Sequence, residues 1–154
     1  MKTRLDILIA DDDLAHRVML KKLLSGWGYN VAEADDGSVA VDEVRKRSFD
    51  LILMDIRMMN VSGIEALEQI KQINPKIIVT LGKFATSFLL GDKTGIMKLR
   101  GQLFEREGRL IYPLLHPSAL LHNSQWKRPT WEDLKNLKKI LEKMNFYTNP
   151  QESL

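Results

Sequence analysis

Short apolar runs alternate with stretches of helical period along most of this chain. Leu5-Asp6-Ile7-Leu8-Ile9-Ala10 is a compact apolar run suited to a buried strand. From Leu14 to Trp27, Val18, Leu20, Leu23 and Leu24 recur near helical spacing, and Gly26 and Gly28 stop the helix. Asn30 to Ala34 reads as a second strand, and Gly37 to Lys46, with Val39, Val41 and Val44, as a second, amphipathic helix. Phe49 to Met54 is almost wholly apolar, which fits a strand covered on both faces. Ser62 to Ile73 predicts a third helix, with Ser62 and Glu65 spaced as a capping box. Asn74-Pro75 breaks it, because the residue before proline disfavours the helical region.

Beyond the proline, Lys76 to Leu81 predicts a fourth strand and Gly82 to Leu90 a short helix ended by Gly91. Residues 91–101 are polar and hold three glycines, so they read as a loop. Gln102 to Phe104 and Arg109 to Leu115 are spaced to pair as a hairpin. The last helix begins around Pro129-Thr130-Trp131-Glu132-Asp133, with Leu134, Leu137, Ile140, Leu141 and Met144 as its stripe, and residues 148–154 form a frayed tail. Repeated βα units of this length imply an α/β fold in three layers, helix–sheet–helix, with right-handed crossovers. One domain over residues 1–147 is expected, because neither half could bury its own sheet.

Composition narrows the chemistry. The 154 residues are 44% hydrophobic and 28% charged, and contain no cysteine. Disulfides, thiolate zinc sites, cysteine nucleophiles and cysteine-ligated iron–sulfur clusters are therefore excluded. No apolar run approaches the roughly 20 residues that cross a bilayer, and acid follows the start too soon for a secretory signal, so no membrane partner and a cytoplasmic location are expected. Net charge is +3, but residues 1–75 hold 10 Lys/Arg against 13 Asp/Glu, and residues 76–154 hold 13 against 7. The sign change points to different partners or different origins for the two halves.

Asp11 and Asp12 directly follow the first strand, and Asp55 directly follows the third. Ligands of open α/β sheets sit at the carboxyl ends of the strands. If the two strands are neighbours, these carboxylates converge, and a hard divalent cation relieves their repulsion. Ile7 to Asp13, Asp50 to Met58 and Gly63 to Leu67 together closely resemble response-regulator receiver domains, over residues 4–75. That resemblance implies Asp55 as phosphoacceptor, with Asp11, Asp12, Asp55 and the backbone carbonyl of Arg57 as ligands for Mg2+. It makes Asp13 a cap for the first helix. Met59 stands where the family usually has proline. Thr80 is placed to supply the family's hydroxyl. The family's phosphoryl-contacting lysine has no counterpart; the corresponding strand ends Leu114-Leu115-His116-Pro117, which puts His116 at that corner.

The second half resembles a different family. Pro75 to Gly82, Leu99-Arg100-Gly101 and His116-Pro117-Ser118-Ala119-Leu120-Leu121 are similar to the C-terminal half of uracil-DNA glycosylases of the iron–sulfur type, over residues 75–145. The resemblance implies that His116 with Ser118 once faced a flipped base, that Leu120 and Leu121 form a wedge, and that Lys127 and Arg128 touch phosphates. His122 stands where that family often has arginine. The glycosylase's water-positioning first half and its cluster cysteines are missing, so no glycosylase activity, and no enzyme, is expected. Weak non-specific DNA binding through the basic half is the expectation of another class, and a folding scaffold with neither activity is a third.

Both families are three-layer α/β proteins, and Ile73-Asn74-Pro75 fits the mid-chain junction of either. The chain therefore reads as an engineered or recombined chimera, receiver-like over 1–75 and glycosylase-like over 76–147. Its expected sheet has five parallel strands in the flavodoxin-like order 2-1-3-4-5, with the hairpin as an extra strand. Mismatched apolar surface around Trp27, Phe84 and Phe88 favours self-association, with strand exchange around residues 91–101 as one route.

Overall fold

The computed structural model of the protein describes residues 4–57, 63–71, 77–91 and 93–148. The first half runs β1 (Asp6–Ala10), α1 (Leu14–Gly26), β2 (Asn30–Ala34), α2 (Gly37–Lys46), β3 (Leu51–Met54) and α3 (Gly63–Lys71). The second runs β4 (Ile77–Leu81), α4 (Gly82–Leu90), α5 (Ile96–Leu99), β5 (Phe104–Arg106), β6 (Arg109–Leu114), α6 (Pro117–His122) and α7 (Lys127–Thr148). The sheet order is β2-β1-β3-β4-β6-β5. Every pairing is parallel except β5 with β6.

The expected count of five strands is corrected to six. The five parallel strands follow the expected order, and the hairpin adds an antiparallel edge. The turn falls at Glu107 and Gly108, both at positive φ. Two further boundaries differ from expectation. A turn of helix, α5, forms inside the region read as loop, and α7 starts two residues before Pro129, whose fixed φ suits a first helical turn. The Ser62 cap, Met59 and the Ile73-Asn74-Pro75 junction lie outside the described residues, as does the tail from residue 149.

Alternation along the strands sorts the core into two layers. Leu8, Ile52, Met54 and Ile78 face one way and pack with Val41 and Val44 of α2, Leu67 and Ile70 of α3, and Leu89 of α4. Ile7, Ile9, Leu51, Leu53, Ile77 and Val79 face the other way and pack with Leu20 and Leu24 of α1 and Leu134, Leu137 and Leu141 of α7. β3 and β4 lie between covered faces and are buried at every position, as their unbroken apolar runs require. α7 is tied to the sheet by the fully buried Tyr112, whose hydroxyl donates to the Asp133 carbonyl at 2.7 Å and accepts from Asn136 at 3.2 Å. Arg100 adds a 2.8 Å bond to the Asp133 carboxylate, so α5, β6 and α7 form one packed unit.

The apolar surface expected around Trp27, Phe84 and Phe88 is mixed. Phe84 and Phe88 are exposed, whereas Trp27 is half-buried and lies 6.0 Å from the Trp131 ring. No helix among the described residues is long and apolar enough to cross a membrane.

Candidate functional site

The β-ladder continues one residue past β1 and β3. The Asp11 amide donates to the Ala34 carbonyl at 3.1 Å, and the Asp55 amide to the Ala10 carbonyl at 2.9 Å. Each aspartate is thereby fixed at the carboxyl end of a central strand, on the α1 and α7 side. Oxygens of Asp11, Asp12 and Asp55 lie within 4.8 Å of one another. Asp11 and Asp55 are buried, and Asp12 is half-exposed. The cavity that Asp12 and Asp55 border holds about 340 Å³ and is also lined by Arg57, Lys83, Phe84 and His116.

Asp13 has a different job. Its side chain accepts the His16 amide at 3.2 Å and caps α1. That amide bond also holds the Asp13 carboxyl below its ordinary value. Capping turns α1 so that buried His16 faces back across the loop. His16 Nδ1 lies 3.0 Å from Asp11 Oδ2, while Asp11 Oδ1 accepts the Asp13 amide at 2.9 Å. Arg17 clamps the same loop by donating to the Asp11 carbonyl at 2.8 Å.

The opposite wall comes from the second half. His116 follows β6 and caps α6, with its Nδ1 accepting the Ser118 amide at 3.1 Å and lying 2.7 Å from the Ser118 hydroxyl. Its Nε2 lies 3.0 Å from Asp55 Oδ2. Gly82, at φ +88°, opens α4 beside it; a Cβ there would stand 3.0 Å from the His116 Cβ. Glycine therefore lets the imidazole reach Asp55. The His16 and His116 rings meet edge to face, centroids 5.0 Å apart.

These contacts set the charges. Burial raises the Asp11 carboxyl above its ordinary value, and nearby Asp55 adds to the rise against the Asp13 amide and His16. Burial acts the same way on Asp55, but the His116 bond, the Arg57 amide at 3.0 Å and the His116 charge outweigh it and lower the carboxyl. Burial opposes the charged form of His116, yet the bond and charge of Asp55 raise its pKa. In the absence of a cation the His116–Asp55 contact thus favours the charged form of each partner, beside a second carboxyl whose burial disfavours ionisation.

Several sequence-predicted residues fall elsewhere. Thr80 is buried with its hydroxyl 2.8 Å from the Thr86 hydroxyl, on the α4 side of the sheet and away from the carboxylates. The reason is strand alternation: Thr80 pairs with Met54, one residue short of Asp55, so the two side chains take opposite faces. Leu81 lines the pocket instead. The residues expected to meet DNA do not form one outward surface. His116 and Ser118 face the acidic pocket, Leu120 is buried, and Leu121, Lys127 and Arg128 are exposed. Of the two leucines read as a wedge, Leu120 is buried and Leu121 projects into solvent. Two site residues were missed from sequence. His16 carried a local signal, since it falls three residues after the capping Asp13. Lys83, exposed at the rim, depends on where α4 starts.

A doubly covered parallel sheet with carboxylates converging beyond β1 and β3 defines a receiver-type module. The family model for the response regulator receiver domain matches residues 7–87, just over half the chain, and the chain belongs to that family. The match runs twelve residues past Pro75, through β4 and into α4. The chain is 51% identical over 77 residues to the transcriptional regulatory protein ZraR of Escherichia coli O157:H7, a span of 50% of this chain and 18% of that protein. It is 46% identical over 69 residues to the chemotaxis protein CheY of Bacillus subtilis, covering 44% of this chain and 58% of that one. The chain thus spans less than a fifth of its ZraR relative. Among solved structures, the response regulator domain of Thermotoga maritima CheB superposes with a TM-score of 0.62 at 26% identity, over 92% of this chain and 97% of that one. The receiver domain of the Pseudomonas aeruginosa histidine kinase PA1611, described with magnesium in its active-site cleft, shares the fold at a TM-score of 0.54 and 24% identity, over 78% and 93% of the two chains. The receiver architecture therefore extends over the second half as well. The glycosylase-like reading of residues 75–145 draws no support from these relatives.

Proposed function

We propose that the chain is a phosphoryl-accepting receiver in which Asp55 is the acceptor and Asp11, Asp12 and Asp55, with the Arg57 carbonyl, hold Mg2+. The observation that carries this reading is the convergence of three carboxylates within 4.8 Å at the ends of β1 and β3. An all-oxygen donor set of this charge suits a hard cation. When bound, magnesium neutralises the carboxylates and screens the phosphoryl oxygens.

The protein's own residues do the rest. An Asp55 carboxylate oxygen attacks phosphorus of a small phosphodonor, and the bond from phosphorus to the donor's leaving oxygen breaks with its electron pair. The Arg57 amide fixes Asp55 Oδ1, which leaves Oδ2 as the attacking oxygen. His116 must first release Oδ2. It then stands beside the incoming phosphoryl oxygens with Lys83, and these two cations serve at the corner where the family carries its lysine. Beryllofluoride with magnesium should shift backbone resonances around Asp55 in the wild type and leave Asp55→Ala unchanged. No shift in either protein contradicts the reading.

The same reading treats residues 76–147 as a glycosylase-derived half that has taken over receiver positions within one domain. Its support is the ordered run of Arg100-Gly101 and His116-Pro117-Ser118 in the sequence. With His116 committed to Asp55, uracil-containing oligonucleotide should remain intact at high protein concentration. Measurable uracil release would overturn this part.

A further inference from the structure

Asp11 belongs to a second donor set. Its carboxylate and the rings of His16 and His116 each offer one ligand atom, and these three atoms lie within 4.8 Å of one another. The set differs in kind from the three carboxylates, because two of its members are imidazole nitrogens. Carboxylate oxygens suit magnesium, whereas imidazole favours zinc, copper and nickel. A tetrahedral zinc ion with bonds of about 2.0–2.2 Å wants its ligand atoms about 3.4 Å apart. Closing the trio from its present spacing takes side-chain movements of about an ångström.

The surroundings already orient the ligands. Capping by Asp13 holds α1 so that buried His16 points its Nδ1 at Asp11, 3.0 Å away. In the metal-free form His116 Nδ1 accepts the Ser118 amide at 3.1 Å; taking a cation at Nε2 moves the ring proton to Nδ1, where the Ser118 hydroxyl 2.7 Å away can accept it. The two rings pack edge to face as direct neighbours, centroids 5.0 Å apart. The adjoining cavity leaves room for water at a fourth position.

We propose that Asp11, His16 and His116 form a binding site for a borderline divalent cation of the zinc and cobalt class. The site shares Asp11 with the carboxylate set and draws His116 away from Asp55, so its occupation excludes magnesium. That exclusion rests on the magnesium reading above; the His–His–Asp site itself does not.

The test is a cobalt titration of the full chain, followed by visible absorption and by histidine resonances, with zinc as competitor. The wild type should bind one cobalt ion with the intense bands of a low-coordinate, nitrogen-ligated centre, and zinc should bleach them. His16→Gln and His116→Gln should each weaken binding by at least about tenfold. The half-exposed His116 guards against a folding defect in the buried His16 variant. His122→Gln, at an exposed histidine, should bind as the wild type does. Absence of the bands in the wild type, or wild-type affinity in both histidine variants, overturns the proposal. A wild type that keeps the bands but gives no beryllofluoride response would sink the receiver reading and leave this site standing.

Discussion

The two walls of the pocket were assembled by different means. The acidic wall uses residues that directly follow β1 and β3, so its geometry is set by two strand ends and one loop. The cationic wall uses His116 after β6 and Lys83 at the start of α4, and it reaches Asp55 across 61 positions of sequence. Carboxylates placed at strand ends form a site wherever the strands are neighbours. Cations placed by packing form one only while β4, β6 and α7 hold their positions. The first wall is therefore robust to changes in the second half, and the second wall is the part that decides what the site does with a phosphoryl group.

The difference between the two walls is open to direct measurement. The largest effect should come from Asp11→Asn, which removes a buried ligand from the acidic wall. Magnesium affinity should fall beyond the roughly hundredfold that losing an outer-shell partner costs, as read by calorimetry. A drop of less than tenfold would mean that Asp11 is not a ligand. Next, Leu137→Ala removes a fully buried contact between α7 and the sheet. It should cost about 2–5 kcal/mol in urea unfolding. A cost below about 1 kcal/mol would show that α7 does not hold the cationic wall.

Lys83→Ala should slow phosphoryl uptake about tenfold, below the hundredfold typical of a buried oxyanion donor, because the lysine is exposed and screened. An unchanged rate would leave His116 as the corner's cation. The smallest effect concerns the metal-free His116–Asp55 pair. His116 is raised above its ordinary 6.5, so its contribution is full below 6.5 and is lost as pH rises through the raised value. Asp55 is lowered beneath its ordinary 3.8, so its contribution is full above 3.8 and is lost as pH falls through the lowered value. Asp11, His16 and Arg57 add their fields to the pair. The stability gap between wild type and His116→Gln should therefore be widest between 3.8 and 6.5 and close on either side. A gap that is flat with pH would show that the pair is not ionic.

Legibility in the sequence follows the same division. β1 to β3 and their helices were readable because hydrophobic period and strand-end position are local properties. Asp11, Asp12 and Asp55 came with them, and Asp13 could be recognised as a cap from its place before Leu14. The face taken by Thr80 depended on register, since one residue of shift exchanges the two sides of a sheet. Pairing of His116 with Asp55 and of His16 with Asp11 depended on how α6 and α1 start. The β5 edge was visible as a hairpin signal, but its membership of the main sheet follows from β6 pairing with β4. The extent of receiver architecture was the largest difference. Motifs faded near Pro75, whereas the family match reaches residue 87 and the fold continues through α7.

The central claim is that Asp55 accepts a phosphoryl group in a magnesium-dependent way. Incubation with acetyl phosphate and magnesium, followed by mass spectrometry of the intact chain, tests it directly. The intact chain should gain the mass of one phosphoryl group, and the gain should disappear without magnesium and in Asp55→Ala. A chain that gains no mass, or gains it equally in Asp55→Ala, would contradict it.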